Sequence, residues 1–113
     1  MRNRFGVIMV LFDLPMDTAE DRRAYHQFRS FLQKNGYMYF RDSVYVKLLR
    51  NISACRVEVD KIKRIAIKRG SVVALPMNMP TFEGMIHIQG QPFNMNLFAD
   101  DVILIEEKDD DEG

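Results

Sequence analysis

Apolar residues run without a polar interruption from Phe5 through Gly6, Val7, Ile8, Met9, Val10, Leu11 and Phe12, and the run stops at Asp13 with Pro15 close behind. A short apolar run bounded by a turn signal predicts a strand buried on both faces. Val7, Met9 and Leu11 fall on one side of it and Ile8, Val10 and Phe12 on the other, so each face of the sheet needs a cover. The period then changes. Thr18 is placed to cap a helix whose first turn carries Glu20 and Asp21, acids favoured by the positive end of the helix dipole. Asp21, three residues after Thr18, gives a shortened capping box. Tyr25, Phe28, Phe31 and Leu32 share one helical face, with Arg22, Arg23, Arg29 and Lys34 largely off it. Asn35-Gly36 supplies the stop.

The segment from Gly36 to Phe40 is short and aromatic, and the segment from Ser43 to Leu49 alternates, with Val44, Val46 and Leu48 facing one way. The pair predicts a hairpin turned at Arg41-Asp42. Ser53 is the expected cap of a second helix, with Cys55, Val59, Ile62 and Ala66 at helical spacing and Arg69-Gly70 at its end. A strand from Ser71 to Leu75, closed by Pro76, follows. Residues 77–85 read equally as a turn of helix or a loop. Short strands are expected at Ile86-His87-Ile88 and at Val102-Ile103-Leu104-Ile105. The order β-α-β-β-α-β is the ferredoxin-like pattern, an α+β sandwich, here with a C-terminal extension of short strands. The division is a ferredoxin-like domain over 1–98 and a C-terminal strand with an acidic tail over 99–113. Two helices cover one face of a four-stranded sheet, yet the first strand is apolar on both. A sheet-on-sheet homodimer is therefore expected, and the strand Val102–Ile105 is placed to extend the partner's sheet edge.

Composition changes this picture in two ways. The chain of 113 residues is 47% hydrophobic and 11% aromatic, which excludes a disordered polymer and suits one core. Its formal charge of zero conceals a division: residues 99–113 carry eight acids against Lys108, while the first 98 carry fifteen Lys and Arg against eight Asp and Glu. A basic body attracts polyanions, and an acidic tail can stay solvated or dock on a basic partner. No apolar run reaches membrane-spanning length, and Met1-Arg2-Asn3-Arg4 leads into a strand with no small-residue cleavage site, so no membrane partner is expected. A lone cysteine, Cys55, fits a reducing cytoplasm and the role of a buried, inert thiol.

Candidate chemistry is sparse. Asp13 stands where the first strand leaves the core, a place where sheet proteins put reactive groups, although an aspartate there also simply solvates a turn. His26 and His87 lack metal-ligand spacing, and no phosphate-binding glycine loop, paired Cys-x-x-Cys or Ser/His/Asp set is present. The cations expected to meet nucleic-acid phosphates are Arg22 and Arg23 on the first helix, Arg41 at the hairpin turn, and Lys47 and Arg50 around the second hairpin strand. Lys61, Lys63, Arg64, Lys68 and Arg69 crowd the second helix. Such contacts carry affinity without sequence information.

The order Val10-Leu11-Phe12-Asp13-Leu14-Pro15, an Arg-bearing helix, Gly36, Ser43-Val44-Tyr45 and a Lys-Leu-Leu resembles the small CRISPR-associated adaptation protein, Cas two. Phe82, Met85 and Gly90 before a short strand and an acidic terminus resemble the variety found in type II systems. One position departs: Arg41 stands where the family often has Gln, and an arginine there can still meet a phosphate. The resemblance implies a homodimer that bridges two dimers of the Cas one integrase, binds double-stranded DNA and serves insertion of fragments into the CRISPR array. It further implies metal-dependent endonuclease activity at the strand-end aspartate, which here is Asp13. Two such carboxylates across a dyad would share one Mg²⁺. The competing readings are a stand-alone toxin-like endoribonuclease with the same fold and, last, a ligand-sensing module, for which no glycine-rich effector loop is present.

Overall fold

The computed structural model describes residues 4–65, 67–90 and 97–112, with backbone alone at 99 and 107–112. The predicted first strand is β1, Gly6–Asp13. It is followed by α1 (Ala19–Lys34), β2 (Met38–Arg41), β3 (Val44–Leu49), α2 (Cys55–Lys63), β4 (Ser71–Asn78), α3 (Met79–Glu83) and α4 (Ala99–Glu112). The sheet order is β2-β3-β1-β4, with every pairing antiparallel. That is the ferredoxin-like arrangement, and β1 lies inside the sheet as its two-sided apolarity demands.

Ile8, Val10 and Phe12 point to the helical side, where they join Phe28 and Leu32 of α1 and Cys55 and Ile62 of α2. Phe12 meets Phe28 edge to face with ring centroids 5.1 Å apart. The capping box at α1 is complete: the Asp21 amide donates to Thr18 Oγ1 at 3.0 Å and the Thr18 amide to Asp21 Oδ2 at 3.2 Å. Gly6 is set by a close approach, since a Cβ there would lie 2.7 Å from the Asn51 carbonyl oxygen.

Several boundaries differ from the expectation. Asn51, not Ser53, caps the chain after β3: its Oδ1 accepts from the Ala54 amide at the start of a 3₁₀ turn, and α2 begins at Cys55 with no side-chain cap. The helix also stops at Lys63, well before Arg69-Gly70, and Ala66 lies outside the described residues. The hairpin turns at Asp42-Ser43, with Arg41 as the last residue of β2 and Ser43 at φ 62°. β4 passes through Pro76 as far as Asn78. It is an edge strand bonded only to β1, where a missing N–H is tolerated. The ambiguous stretch after it contains the short α3, with Asn78 Oδ1 accepting from the Thr81 amide at 2.8 Å.

The two expected C-terminal strands are the main corrections. Ile86-His87-Ile88 forms no strand, and both isoleucines are nearly fully exposed (84% and 91%). Val102–Ile105 lies within the helix α4. Four consecutive apolar residues cannot distinguish the two periods, and the packing selects the helical one. Phe98, Val102 and Ile105, spaced four and three apart, turn onto the open face of the sheet. There they join Val7, Met9, Val46, Leu48 and Phe82, with the Phe82 and Phe98 rings 5.3 Å apart. The chain therefore covers part of its second sheet face by itself. Val73 (55%) and Leu75 (49%), paired with Leu11 and Met9, remain exposed on it.

Candidate functional site

Asp13 is the last residue of β1, opposite Ser71, and is exposed. Its backbone is held closely. Gly70 packs against it at φ +98°, and a Cβ at Gly70 would sit 2.5 Å from the Asp13 carbonyl oxygen. Only glycine combines that left-handed conformation with that approach. The same end of the sheet carries the β2–β3 turn, because Leu11 pairs with Val44 and the Phe12 amide donates to the Ser43 carbonyl at 3.0 Å. Arg41, paired with Val44, thus reaches the Asp13 end. Its guanidinium lies 5.7 Å from the centroid of the Phe40 ring. Arg22 joins them from α1, its Nη1 donating to the Met16 carbonyl at 3.0 Å and to the Asp17 carbonyl at 3.4 Å. Arg22 therefore also braces the loop that leaves Asp13.

The other predicted cations are placed elsewhere. Arg50 follows β3 at the opposite end of the sheet, since Leu49 pairs with Gly6. Arg23 is exposed on α1 and lines a cleft beside it. Lys47 points to the helical side, where Nζ lies 3.2 Å from Glu58 Oε1 and 5.6 Å from the centroid of the Tyr37 ring. It is committed to an internal network, and Lys61 is drawn to the same carboxylate at 3.6 Å. Arg69 lies past the end of α2. Its Nη1 is 2.6 Å from Asp21 Oδ2, and its Nη2 is 3.8 Å from Asp17 Oδ2.

One acid in these networks, Glu58, escapes a motif search, and Asp21, already expected in the capping box, gains Arg69 as a partner. Glu58 is buried and accepts from the Tyr37 hydroxyl at 3.1 Å. Burial first, then the Glu58 charge and hydrogen bond, push the Tyr37 hydroxyl well above the usual phenolic range. The same burial and charge raise the Cys55 thiol, which leaves it un-ionised and inert as expected. Glu58 was legible in principle, since it falls three residues after Cys55 and four before Ile62 on the buried stripe. At Asp21 burial opposes ionisation, but the Thr18 hydrogen bonds and the Arg69 guanidinium outweigh it, and the carboxyl lies below its ordinary value.

No group of three or more metal-ligating side chains exists among the described residues. Asp13 belongs to no such group, and one carboxylate does not by itself fit a Mg²⁺ site. His26 stacks edge to face on Tyr25, and His87 Nε2 lies 2.7 Å from the Gly90 carbonyl oxygen. No helix among the described residues is long and apolar enough to cross a membrane.

The family model described as CRISPR associated protein Cas2 matches residues 7–85, from β1 to just past α3. The chain belongs to this family. Relatives named CRISPR-associated endoribonuclease Cas2 include one from Streptococcus mutans serotype c (strain NN2025), 38% identical over 84 residues, covering 74% of this chain and 78% of the relative. Another, from Acidovorax ebreus (strain TPSY), is 34% identical over 85 residues, covering 75% and 83%. A third, from Treponema denticola, is 31% identical over 98 residues, covering 87% and 97%. A solved structure described as "Crystal structure of cas2" shares the fold, with a TM-score of 0.55 and 18% identity over 80% of this chain and 97% of that one. Membership in the family places the chain in a CRISPR context.

Proposed function

We propose that this chain acts in CRISPR adaptation as a homodimeric, DNA-binding scaffold of the type II variety, bridging dimers of the Cas one integrase. The observation that carries the scaffold role is the setting of Asp13: it is exposed, anchored through its backbone, and belongs to no group of three or more metal-ligating side chains among the described residues. A carboxylate outside any such group gives little metal affinity by itself. Arg22 and Arg41 suit phosphate oxygens at this end, and Arg23 and Arg50 add exposed cations elsewhere on the surface. Duplex binding on these contacts is sequence-independent and weakens steeply with salt.

The relatives' names favour a second reading, an endoribonuclease. For this chain it requires two copies to bring their Asp13 carboxylates together around Mg²⁺. Replacing Asp13 by Asn separates the two readings, since the amide keeps the shape and loses the charge. The measurement is spacer integration by the complex reconstituted with the integrase, using wild-type protein and the Asp13→Asn variant. Integration retained by the variant supports the scaffold. Integration lost while the complex still assembles places chemistry at Asp13 and overturns the scaffold-only role.

A further inference from the structure

Of the residues lining the cleft beside α1, the proposed scaffold uses only Arg23. α2 stops at Lys63, and Ile65 and residues 67–69 beyond it face α1 across a gap of about 630 Å³. That is within the size range of small-molecule sites. Its floor is apolar, formed by buried Phe28 and half-buried Phe31, Ile65 and Ile67. Arg23 and Gln27 stand one turn apart along its α1 wall, and Lys68 lies on the opposite segment. The rim cations differ in what they already hold. Arg69 is taken by Asp21 and Asp17. Arg23 and Lys68 are exposed and make no ion pair or hydrogen bond among the described residues.

Two uncommitted cations above an aromatic and aliphatic floor call for a ligand with a flat apolar body and a compact anion. A phosphate draws charge-assisted hydrogen bonds from both cations, and a ring buries its face on Phe31. The Gln27 amide offers one donor group and one acceptor, which suits the edge of a nucleobase better than an acyl chain. Glu20, at the N-terminal end of the cleft, repels an anion there and sets the phosphate toward Arg23 and Lys68.

We propose that this cleft binds a nucleoside monophosphate unit, with the base on the Phe28–Phe31–Ile67 floor and the phosphate between Arg23 and Lys68. The same chemistry is carried by a free nucleotide and by the phosphorylated 5′ end of a nucleic-acid strand. The test is a titration of ¹⁵N-labelled full-length protein with AMP, read by amide chemical shifts. Inorganic phosphate serves as the control. Shifts should cluster on α1 and residues 64–69, and AMP should bind more tightly than inorganic phosphate by about tenfold or more.

Ala24→Phe fills the cleft from an exposed helix position and keeps every charge, so it should weaken AMP binding by a similar factor. The double variant Arg23→Ala, Lys68→Ala alters only exposed side chains and should do the same by removing the phosphate contacts. A 5′-phosphorylated single strand that displaces AMP where its 5′-hydroxyl counterpart does not identifies a strand end as the source. AMP binding unaffected by either strand identifies the free nucleotide. Shifts outside the cleft, inorganic phosphate binding as tightly as AMP, or unchanged affinity in either variant would overturn the proposal. None of these readouts uses duplex DNA, so they stand or fall separately from the scaffold role.

Discussion

At Glu58 a carboxylate sits on the inner stripe of α2 and holds Tyr37, Lys47 and Lys61 around it. Removing it leaves a buried phenol and a half-buried ammonium without their acceptor. Glu58→Ala should therefore cost about 2 kcal/mol, read as a lower urea midpoint at unchanged slope. Glu58→Gln, which keeps an acceptor oxygen, should cost less. Asp21 gives the pH-dependent counterpart. Its folded pKa lies below its ordinary value of 3.8, so the ionised group stabilises the fold above that value, and the contribution is lost as pH falls through the lower folded pKa. Asp21→Asn should consequently be less stable than wild type near neutral pH. The two should converge as the pH drops below about 3.8, measured by thermal melts across that range. A gap that stays constant with pH would show that the capping geometry, not the charge, supplies the difference.

Among the elements, β1 and α1 follow from local pattern and α4 does not. Its role is to lay Phe98, Val102 and Ile105 on the sheet face opposite α1. Phe98→Ala should cost about 3 kcal/mol, as expected for emptying a buried aromatic site, and would be read by urea unfolding. Deleting residues 106–113 should leave that packing intact, since the three apolar contacts all precede the cut. If the acidic end docks on the integrase, the same deletion should weaken co-purification, most strongly at low salt where charges are least screened. Unchanged co-purification would leave the tail as a solvated appendage.

At the scale of the whole molecule, the question is how much of the second sheet face the chain covers alone. Val73 and Leu75 stay half exposed beside Leu11 even with α3 and α4 in place, a patch that suits a second copy. Light scattering at micromolar concentration should report about twice the 13.3 kDa chain mass, and Leu75→Glu should return the mass to that of one chain. A monomeric wild type would mean that α4 suffices as the second layer. The sequence by itself determined the two-sided β1, the capped α1 with its buried Phe28 and Leu32, the hairpin, and Asp13 as the strand-end acid. β1 is legible because its apolar run is short and bounded by Asp13 and Pro15, α1 because its apolar residues keep one helical face, and Thr18 and Asp21 meet within a single helical turn. Tertiary structure decided the rest. Val102–Ile105 is too short for its period to show, and its helical state follows from the packing of Phe98 and Val102 against Phe82 and Val46. Likewise no local pattern reveals that Lys47, thirteen residues after the helix that covers the sheet, meets Glu58 on the next helix and not solvent. A charge's partner depends on which side chains the completed sheet brings within a few ångströms, and sequence spacing does not encode that distance.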